Sequence, residues 1–247
     1  MSLSATPSAV EQPTCETLET PTNNQMAIPL PKIQALIFDL DGTLIDSEQD
    51  LINSTNAMLC ELGRPQLPSQ TVSSFIGHGA AKLVARALGP RADEAQISEA
   101  LQLFLHIYEA HKLDQTRVYP SVPEALEKLF PMPMAVLTNK PTALSKTILQ
   151  ALDLAKYFRA IYGGDSFPAK KPDPQGALTI LEEFGVTPSA ALLIGDSDVD
   201  VTTARNAGVR AAAVNYGFGV HDRTAVPADL YLDRLADLVP LLDVPPS

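Results

Sequence analysis

The chain has 247 residues, 45% of them hydrophobic and 19% charged, which is typical of one domain with an insertion or of two small domains. Its 18 Lys and Arg against 29 Asp and Glu give a net charge of −11, which disfavours general binding to nucleic acid or anionic membranes. The 2 cysteines lie far apart with no CxxC pair or neighbouring His, so we expect neither a disulfide framework nor a zinc site.

Residues 1–31 are predicted to be a flexible N-terminal extension. They contain no aromatic residue, no Lys or Arg and many Ser, Thr and Pro, so they cannot bury enough apolar surface to offset the entropy of ordering. They match neither a secretory signal nor an Arg-rich transit peptide. Because no apolar stretch approaches the roughly 20 residues of a membrane span, we expect a soluble protein of the reducing cytoplasm.

Beyond this extension, short β-type runs alternate with helical patterns. Such alternation predicts parallel strands joined by right-handed crossovers, and hence an α/β fold with a doubly wound parallel sheet covered on both faces. The predicted strands are Gln34–Phe38, Met134–Thr138, Ala160–Gly163, Ala191–Ile194, Ala211–Val214 and Leu230–Leu232. The predicted helices between them are Pro123–Phe130, Ala143–Leu152, Pro174–Phe184 and Val201–Ala207.

Residues 48–116 interrupt the alternation with helical patterns alone. Because this block follows the first strand, we expect it over that strand's carboxyl end, where open α/β sheets bind ligands. We therefore predict an α/β core of residues 32–47 and 117–247 and a helical cap of residues 48–116 that excludes water and selects substrates. A helical subdomain that only adds stability explains this position less well. The predicted apolar faces are Leu51, Thr55, Met58 and Leu62; Leu83, Val84, Ala87 and Leu88; and Ile97, Leu101, Leu105 and Tyr108.

Two carboxylates, Asp39 and Asp41, follow the first predicted strand. If extended geometry persists there, both side chains point to one side of the sheet edge, and their repulsion calls for a cation or a shared proton. Magnesium is the natural cation because it prefers oxygen ligands. The pattern Asp-x-Asp-Gly is weak alone, since a calcium loop or an Asx-turn uses the same residues.

Further polar residues stand at three other strand ends. Residues 196–200 include three acids, of which capping of the next helix explains one but not all. Thr138 and Asn139 offer a hydroxyl and an amide, and Lys171, which would otherwise be taken for a solvated surface residue, offers an ammonium on a restricted X-Pro segment. A hydroxyl and an ammonium facing a magnesium–carboxylate cluster form the oxyanion receptor that phosphoryl transfer requires.

In this order, the residues resemble the motifs of the haloacid dehalogenase superfamily of phosphohydrolases. The motifs are Asp39-Leu-Asp41-Gly-Thr43, Thr138, Lys171-Pro and Gly-Asp196-Ser-Asp-Val-Asp200. The resemblance runs from residue 33 to the C-terminal region and implies a Rossmann-like core with an inserted α-helical cap. Within the superfamily, the helical insertion and the stretches 75–80, 137–141, 163–165 and 170–174 are similar to phosphoglycolate phosphatases.

The resemblance implies a role for each motif residue. Asp39 would be the nucleophile that forms an aspartyl-phosphate, and Asp41 would protonate the leaving alkoxide and then activate water. Mg²⁺ would be held by the Asp39 carboxylate, the Asp41 backbone carbonyl and Asp196, with Asp200 in a supporting role. The phosphoryl oxygens would be bound by Thr138, Asn139 and Lys171.

The resemblance specifies the reaction better than the substrate. An acid at Asp41 favours a phosphatase over the dehalogenases and phosphonatases of the superfamily. In the cap, Gly77-His78-Gly79 stands where these relatives usually have Gly-Asn-Gly, so His78 is either a ligand for a substrate carboxylate or a surface substitution. Arg64 and Arg86 are further candidates for an anionic leaving group, although exposed helical arginines are common.

The sequence thus predicts a magnesium-dependent phosphatase for a small phosphorylated metabolite, with 2-phosphoglycolate as the favoured substrate. The alternatives within the superfamily are a sugar-phosphate phosphatase and a pyrophosphatase. Outside it, a phospho-accepting receiver-like signalling module would use similar residues, but it would need no large cap and its phosphoacceptor would follow a later strand. Nucleic acid and membranes are not expected as partners, and the sequence indicates no oligomeric state.

Overall fold

The computed structural model describes residue 1 and residues 32–244, so all but the first residue of the predicted N-terminal extension lies outside the described residues. In this part of the chain six parallel strands form one sheet in the order β5-β4-β1-β6-β7-β8, and two short strands, β2 and β3, pair antiparallel. The strands are β1 (Ala35–Phe38), β2 (Ile45–Asp46), β3 (Arg117–Val118), β4 (Met134–Leu137), β5 (Ala160–Tyr162), β6 (Ala191–Gly195), β7 (Arg210–Val214) and β8 (Leu230–Leu232).

The α-helices divide between the sheet and the insertion. The helices are α1 (Glu48–Glu61), α2 (Ser69–Ser73), α3 (Ala80–Leu88), α4 (Glu94–His111), α5 (Val122–Leu129), α6 (Thr142–Ala151), α7 (Gln175–Phe184) and α8 (Asp198–Asn206). Three 3₁₀ segments, Ala155–Tyr157, Pro188–Ala190 and Leu235–Leu241, complete the regular structure of the described residues. No helix in that part of the chain is both long enough and apolar enough to cross a membrane.

The central strands are apolar along their whole length because helices cover both faces of the sheet. Successive side chains of β1 point to opposite faces. Leu36 and Phe38 join a core with α5 and α6, while Ala35 and Ile37 join a second core with α7 and α8. The predicted doubly wound parallel α/β fold is therefore confirmed, and all six predicted strands are present.

Helices α1, α3 and α4 enclose a third apolar core of their own, to which Leu144 at the start of α6 also belongs. The buried face of α4 differs from the predicted one, since Leu101 and Leu105 are only half-buried. Because α4 packs against both α1 and α3, its apolar surface is broader than a single stripe, and the sequence pattern does not locate its centre. The buried residues of α4 are Ala100, Phe104, Ile107 and Tyr108.

The two places where the chain passes between the sheet and the helical block are fixed to one another. There β2 pairs with β3, with Ile45 opposite Val118. Next to them the buried carboxylate of Asp50 accepts hydrogen bonds from the backbone N–H of Gln115 (2.9 and 3.0 Å) and of Thr116 (2.8 Å), and from the Thr116 hydroxyl (2.7 Å). Strands of two residues leave no periodic signal, so the sequence did not predict β2 or β3.

Candidate active site

The site lies at the carboxyl end of β1 and β6, which are neighbours in the sheet. From β1 the chain continues to β4 and β5 on one side of β1, and it then returns to β6 on the other side. The strand order therefore reverses between β1 and β6, and a crevice opens at the carboxyl ends of these two strands. Phe38 pairs with Ile194 in register, and Asp39 N–H donates to the Ile194 carbonyl oxygen at 2.8 Å. Asp39 and Asp196, which directly follow β1 and β6, are therefore brought together.

Three buried carboxylates meet in this crevice. Oxygen atoms of Asp39, Asp196 and Asp200 all lie within 4.8 Å of one another. Asp196 Oδ2 accepts a hydrogen bond from the backbone N–H of Gly219 at 2.7 Å. Only glycine fits at Gly42, because a Cβ there would lie 1.8 Å from Asp196 Oδ2 and the backbone φ is +81°.

Lys171 supplies the positive charge of this cluster and is not a surface residue. Its side chain is 3% exposed, and its Nζ donates to Asp200 Oδ1 at 2.6 Å. Nζ also lies 2.8 Å from Asp39 Oδ1 as an ion pair, but the alignment is not that of a hydrogen bond, so Asp39 Oδ1 is a buried acceptor without one. Asp200 Oδ2 is held in turn by the Ser197 hydroxyl at 2.6 Å.

The electrostatics of the cluster favour a bound cation. Burial raises the pKa of Asp39 to about 7, with Lys171 opposing the rise and Asp200 adding to it. Burial also raises the pKa of Asp196, and the charges of Asp200 and Asp39 add to that effect. Burial lowers the pKa of Lys171, but its two carboxylate partners outweigh burial and raise it overall. Three carboxylates against one ammonium leave an excess of negative charge that a cation would relieve.

The donor set fits a hard divalent cation. The available side-chain ligands are all carboxylate oxygens, and the only cation beside Asp39 Oδ1 among the described residues is the Lys171 ammonium, 2.8 Å away. Oxygen-only coordination by one or two carboxylates is what Mg²⁺ prefers. Asp200 differs from the other two acids because both of its oxygens already have donors, from Lys171 and Ser197.

The Asp41 side chain lies outside this cluster. Lys140 Nζ donates to both of its carboxylate oxygens, at 2.7 and 2.9 Å, and the Ser47 hydroxyl donates to Oδ1 at 2.5 Å. The Lys140 side chain is 4% exposed and its Nζ lies 4.7 Å from the ring centroid of Tyr108. Sequence reasoning assigned no role to Lys140, although its place directly after Thr138 and Asn139 at a strand end is the signal that would have indicated one.

Thr138 and Asn139, which directly follow β4, differ from each other in their hydrogen-bond partners. Thr138 is buried and its hydroxyl accepts a hydrogen bond from Lys140 N–H at 3.2 Å. The amide of Asn139 donates to the carbonyl oxygens of Gly77 at 3.0 Å and Lys171 at 3.1 Å, so it joins the loop before α3 to the segment that carries Lys171. Neither donor of that amide is directed at the cavity.

A partly enclosed cavity of about 60 Å³ lies between the sheet edge and the helical block. That volume holds roughly four to six water molecules, so it suits a small molecule and not a polymer. Carboxylates and the strand-end polar residues form its floor, and apolar side chains from the helical block form its roof. The polar side chains that line it are Asp39, Asp41, Tyr108, Thr138, Asn139, Lys140, Asp196 and Ser197.

The candidate cap residues are only partly brought to this cavity. Gly77 and Gly79 line it, but His78 lines a neighbouring cleft with Arg86. Burial, together with the charge of Arg86, lowers the pKa of His78, which makes it a weak partner for an anion. Arg64 donates to the Leu88 carbonyl oxygen at 2.8 Å and does not line the cavity either.

Comparison with known proteins gives consistent matches over most of the chain. A family model of haloacid dehalogenase-like hydrolases matches residues 36–214. Phosphoglycolate phosphatase 1 of Pseudomonas aeruginosa is 41% identical over 223 residues, covering 87% of this chain and 80% of that protein. Phosphoglycolate phosphatase of Chromobacterium violaceum is 38% identical over 219 residues, covering 86% of this chain and 98% of that protein. A crystal structure titled a predicted phosphoglycolate phosphatase from Haemophilus somnus has a TM-score of 0.80 at 31% identity and covers 86% of this chain and 99% of that one.

Proposed function

The chain belongs to the haloacid dehalogenase-like hydrolase family and is a phosphoric monoester hydrolase, and on this premise we propose that it hydrolyses 2-phosphoglycolate to glycolate and phosphate. The proposed reaction depends on Mg²⁺ and passes through a phosphorylated aspartate. The observation that carries the proposal is the cluster of Asp39, Asp196 and Asp200 around the buried Lys171, of which Asp39 and Asp196 line the cavity. A phospho-accepting signalling module is set aside because the family is one of hydrolases.

Asp39 is the nucleophile of the proposed reaction. Its carboxylate attacks the phosphorus of the ester, and an oxygen–phosphorus bond to Asp39 forms as the bond to the glycolate oxygen breaks. Lys171, 2.8 Å from Asp39 Oδ1, favours the ionised nucleophile and so opposes the effect of burial on the Asp39 pKa.

Asp41 is the proposed acid and base. It donates a proton to the departing glycolate oxygen and then takes one from the water that attacks the phosphorylated Asp39, which releases phosphate. Both aspartates line the same cavity. The hydrogen bonds of Asp41 with Lys140 and Ser47 hold it there until the substrate enters.

Lys171 and Thr138 are the proposed ligands of the phosphoryl oxygens, because Lys171 Nζ lies 2.8 Å from Asp39 Oδ1 and Thr138 directly follows β4, the strand next to β1. Asn139 would contribute through its backbone N–H, since its side-chain amide bonds to Gly77 and Lys171. This assignment separates the phosphoryl group, bound at the sheet edge, from the leaving group, which extends toward the helical block.

Mg²⁺ would be held by the carboxylates of Asp39 and Asp196 and by the backbone carbonyl of Asp41. When bound, it would neutralise charge between the nucleophile and the phosphoryl oxygens. Asp200 supports the site from outside by fixing the Lys171 ammonium. The glycine at position 42 keeps the backbone close to Asp196, which leaves the Asp196 carboxylate free of steric interference.

The choice of 2-phosphoglycolate rests on the relatives named phosphoglycolate phosphatase and on the size of the cavity. A volume of about 60 Å³ is consistent with a leaving group of a few heavy atoms. The division into an α/β core of residues 32–47 and 117–247 and a cap of residues 48–116 remains part of this proposal, with the cap closing over the small substrate.

The test is a phosphate-release assay over 2-phosphoglycolate, sugar phosphates, nucleotides and pyrophosphate, each with Mg²⁺ and with a chelator. We expect 2-phosphoglycolate to have a kcat/KM at least roughly 10-fold above the other compounds, and chelation to remove most of the activity. Asp39→Asn should abolish turnover. The matched control Asp114→Asn, which changes an exposed aspartate in a loop, should keep the wild-type turnover. Preference for a sugar phosphate or pyrophosphate would overturn the proposed substrate, and turnover by Asp39→Asn would overturn the mechanism.

A further inference from the structure

Lys140 is a buried cation to which the proposed reaction assigns only the positioning of Asp41. It follows β4 on the sheet side of the cavity, whereas Tyr108, whose ring centroid lies 4.7 Å from Lys140 Nζ, belongs to α4 of the helical block. An ammonium has three N–H donors, and the hydrogen bonds to Asp41 use two of them. The third donor faces the Tyr108 side chain, and no carboxylate or carbonyl oxygen of the described residues accepts it.

Tyr108 provides a second unused donor at the same place. Its side chain lines the cavity and is 1% exposed, yet its hydroxyl proton has no acceptor among the described residues. Buried hydroxyl groups in native proteins almost always have a partner, because leaving one unpaired costs stability. An unpaired hydroxyl that faces a cavity beside an ammonium indicates an acceptor that arrives with a ligand.

The remaining side chains on this side of the cavity carry no positive charge for an anion. The side chains that come from the helical block and from α6 are apolar, for example Leu83, Phe104 and Leu144. Among the described residues that line the cavity, Lys140 is the only Lys or Arg. A negatively charged leaving group placed here would lose its hydration and would need this ammonium to replace it.

We propose that Lys140 and Tyr108 form the subsite that binds the carboxylate of the leaving group, and that they thereby select phosphate esters of small hydroxy acids. The proposal rests on the proposed function and specifies the part of the site that distinguishes this substrate from uncharged esters. One ammonium can serve two carboxylates, as Lys171 does between Asp39 and Asp200 in the same protein. Lys140 would likewise bridge Asp41 and the substrate, while Ser47 keeps its own hydrogen bond to Asp41.

The test compares 2-phosphoglycolate with 2-phosphoglycolamide, which has nearly the same size but carries a neutral amide in place of the carboxylate of the leaving group. The quantity measured is the ratio of kcat/KM for the acid to kcat/KM for the amide. Both substrates use Asp41, so any damage to Asp41 that follows the loss of Lys140 lowers both rates and cancels in the ratio. Lys140→Met removes the ammonium, Tyr108→Phe removes only the hydroxyl, and Lys146→Met, an exposed lysine on α6, is the matched control.

We expect Lys140→Met to lower the ratio about 100-fold and Tyr108→Phe to lower it about 10-fold, because a charged hydrogen bond in a desolvated site contributes more than a neutral one. The control Lys146→Met should leave the ratio within about twofold of the wild type, since solvent and salt screen the charge of an exposed lysine. Thermal denaturation of each variant verifies that the protein is folded.

Equal losses on both substrates in Lys140→Met, with an unchanged ratio in Tyr108→Phe, would overturn the subsite and assign Lys140 to positioning Asp41 alone. If the wild-type enzyme prefers a different phosphate ester that carries a carboxylate, the proposed substrate is overturned. The subsite is still supported in that case if Lys140→Met and Tyr108→Phe lower the ratio of kcat/KM for that ester to kcat/KM for its amide. A wild-type enzyme that prefers uncharged leaving groups would overturn both.

Discussion

Removing the Lys171 ammonium should destabilise the folded protein as well as inactivate it. Lys171→Met keeps most of the side-chain volume but leaves Asp39, Asp196 and Asp200 within 4.8 Å of one another without a counter-charge. Breaking a buried ion pair by removing one partner costs about 3–5 kcal/mol. In a domain of this size such a loss lowers Tm by roughly 6–20 °C, at about 2–4 °C per kcal/mol.

The assay is thermal denaturation in chelator at a pH where the carboxylates are ionised. Lys171→Met/Asp200→Asn should recover part of the lost Tm, because the second substitution removes one of the charges left uncompensated. Phosphate release by the single variant should fall at least about 100-fold, since a contact to the phosphoryl oxygens is lost. A Tm within about 2 °C of the wild type, or a double variant less stable than the single one, would refute the reasoning.

Three further changes test other parts of the site. In metal-free buffer, Asp39→Asn should become more stable relative to the wild type as the pH rises from 3.8 to about 7. Burial raises the pKa of Asp39, so ionising this carboxylate across that range destabilises the folded wild-type protein but not the variant. Thermal melts across this range that show no such gain would mean that the ionised Asp39 is well compensated. Gly42→Ala should lower kcat/KM at least about 100-fold, because the new Cβ displaces Asp196, and near-normal Mg²⁺-dependent activity would contradict this. Asp50→Ala should lower the free energy of unfolding in urea by at least about 2 kcal/mol, since the buried N–H groups of Gln115 and Thr116 lose their acceptor, whereas Thr116→Val should cost less.

The strand ends are the part of the site that sequence reasoning locates best. A buried apolar run followed by an acid fixes where Asp39 and Asp196 stand, since parallel strands end at the same edge of the sheet. The order of the runs also predicts the parallel α/β fold, which is confirmed. Both inferences depend only on local patterns and on the chirality of the crossovers.

The direction of each side chain depends on contacts between distant parts of the chain, which the local pattern does not specify. Asp41 is turned toward Lys140, 99 residues further along the chain, because an ammonium buried there needs a carboxylate partner. The same applies to His78, which the loop geometry places in the neighbouring cleft, and to α4, whose buried face is set by two partner helices. The roles assigned to the site residues remain predictions.

The most direct test of the account is to isolate the covalent intermediate. Wild-type enzyme mixed with 2-phosphoglycolate labelled in its phosphoryl group and Mg²⁺, quenched within one turnover and digested, should give one labelled peptide that contains Asp39. Hydroxylamine should remove the label, because it cleaves acyl phosphates, and Asp39→Asn should give no labelled peptide under the same conditions. Turnover without a labelled peptide, or a label on any residue other than Asp39, would contradict the account.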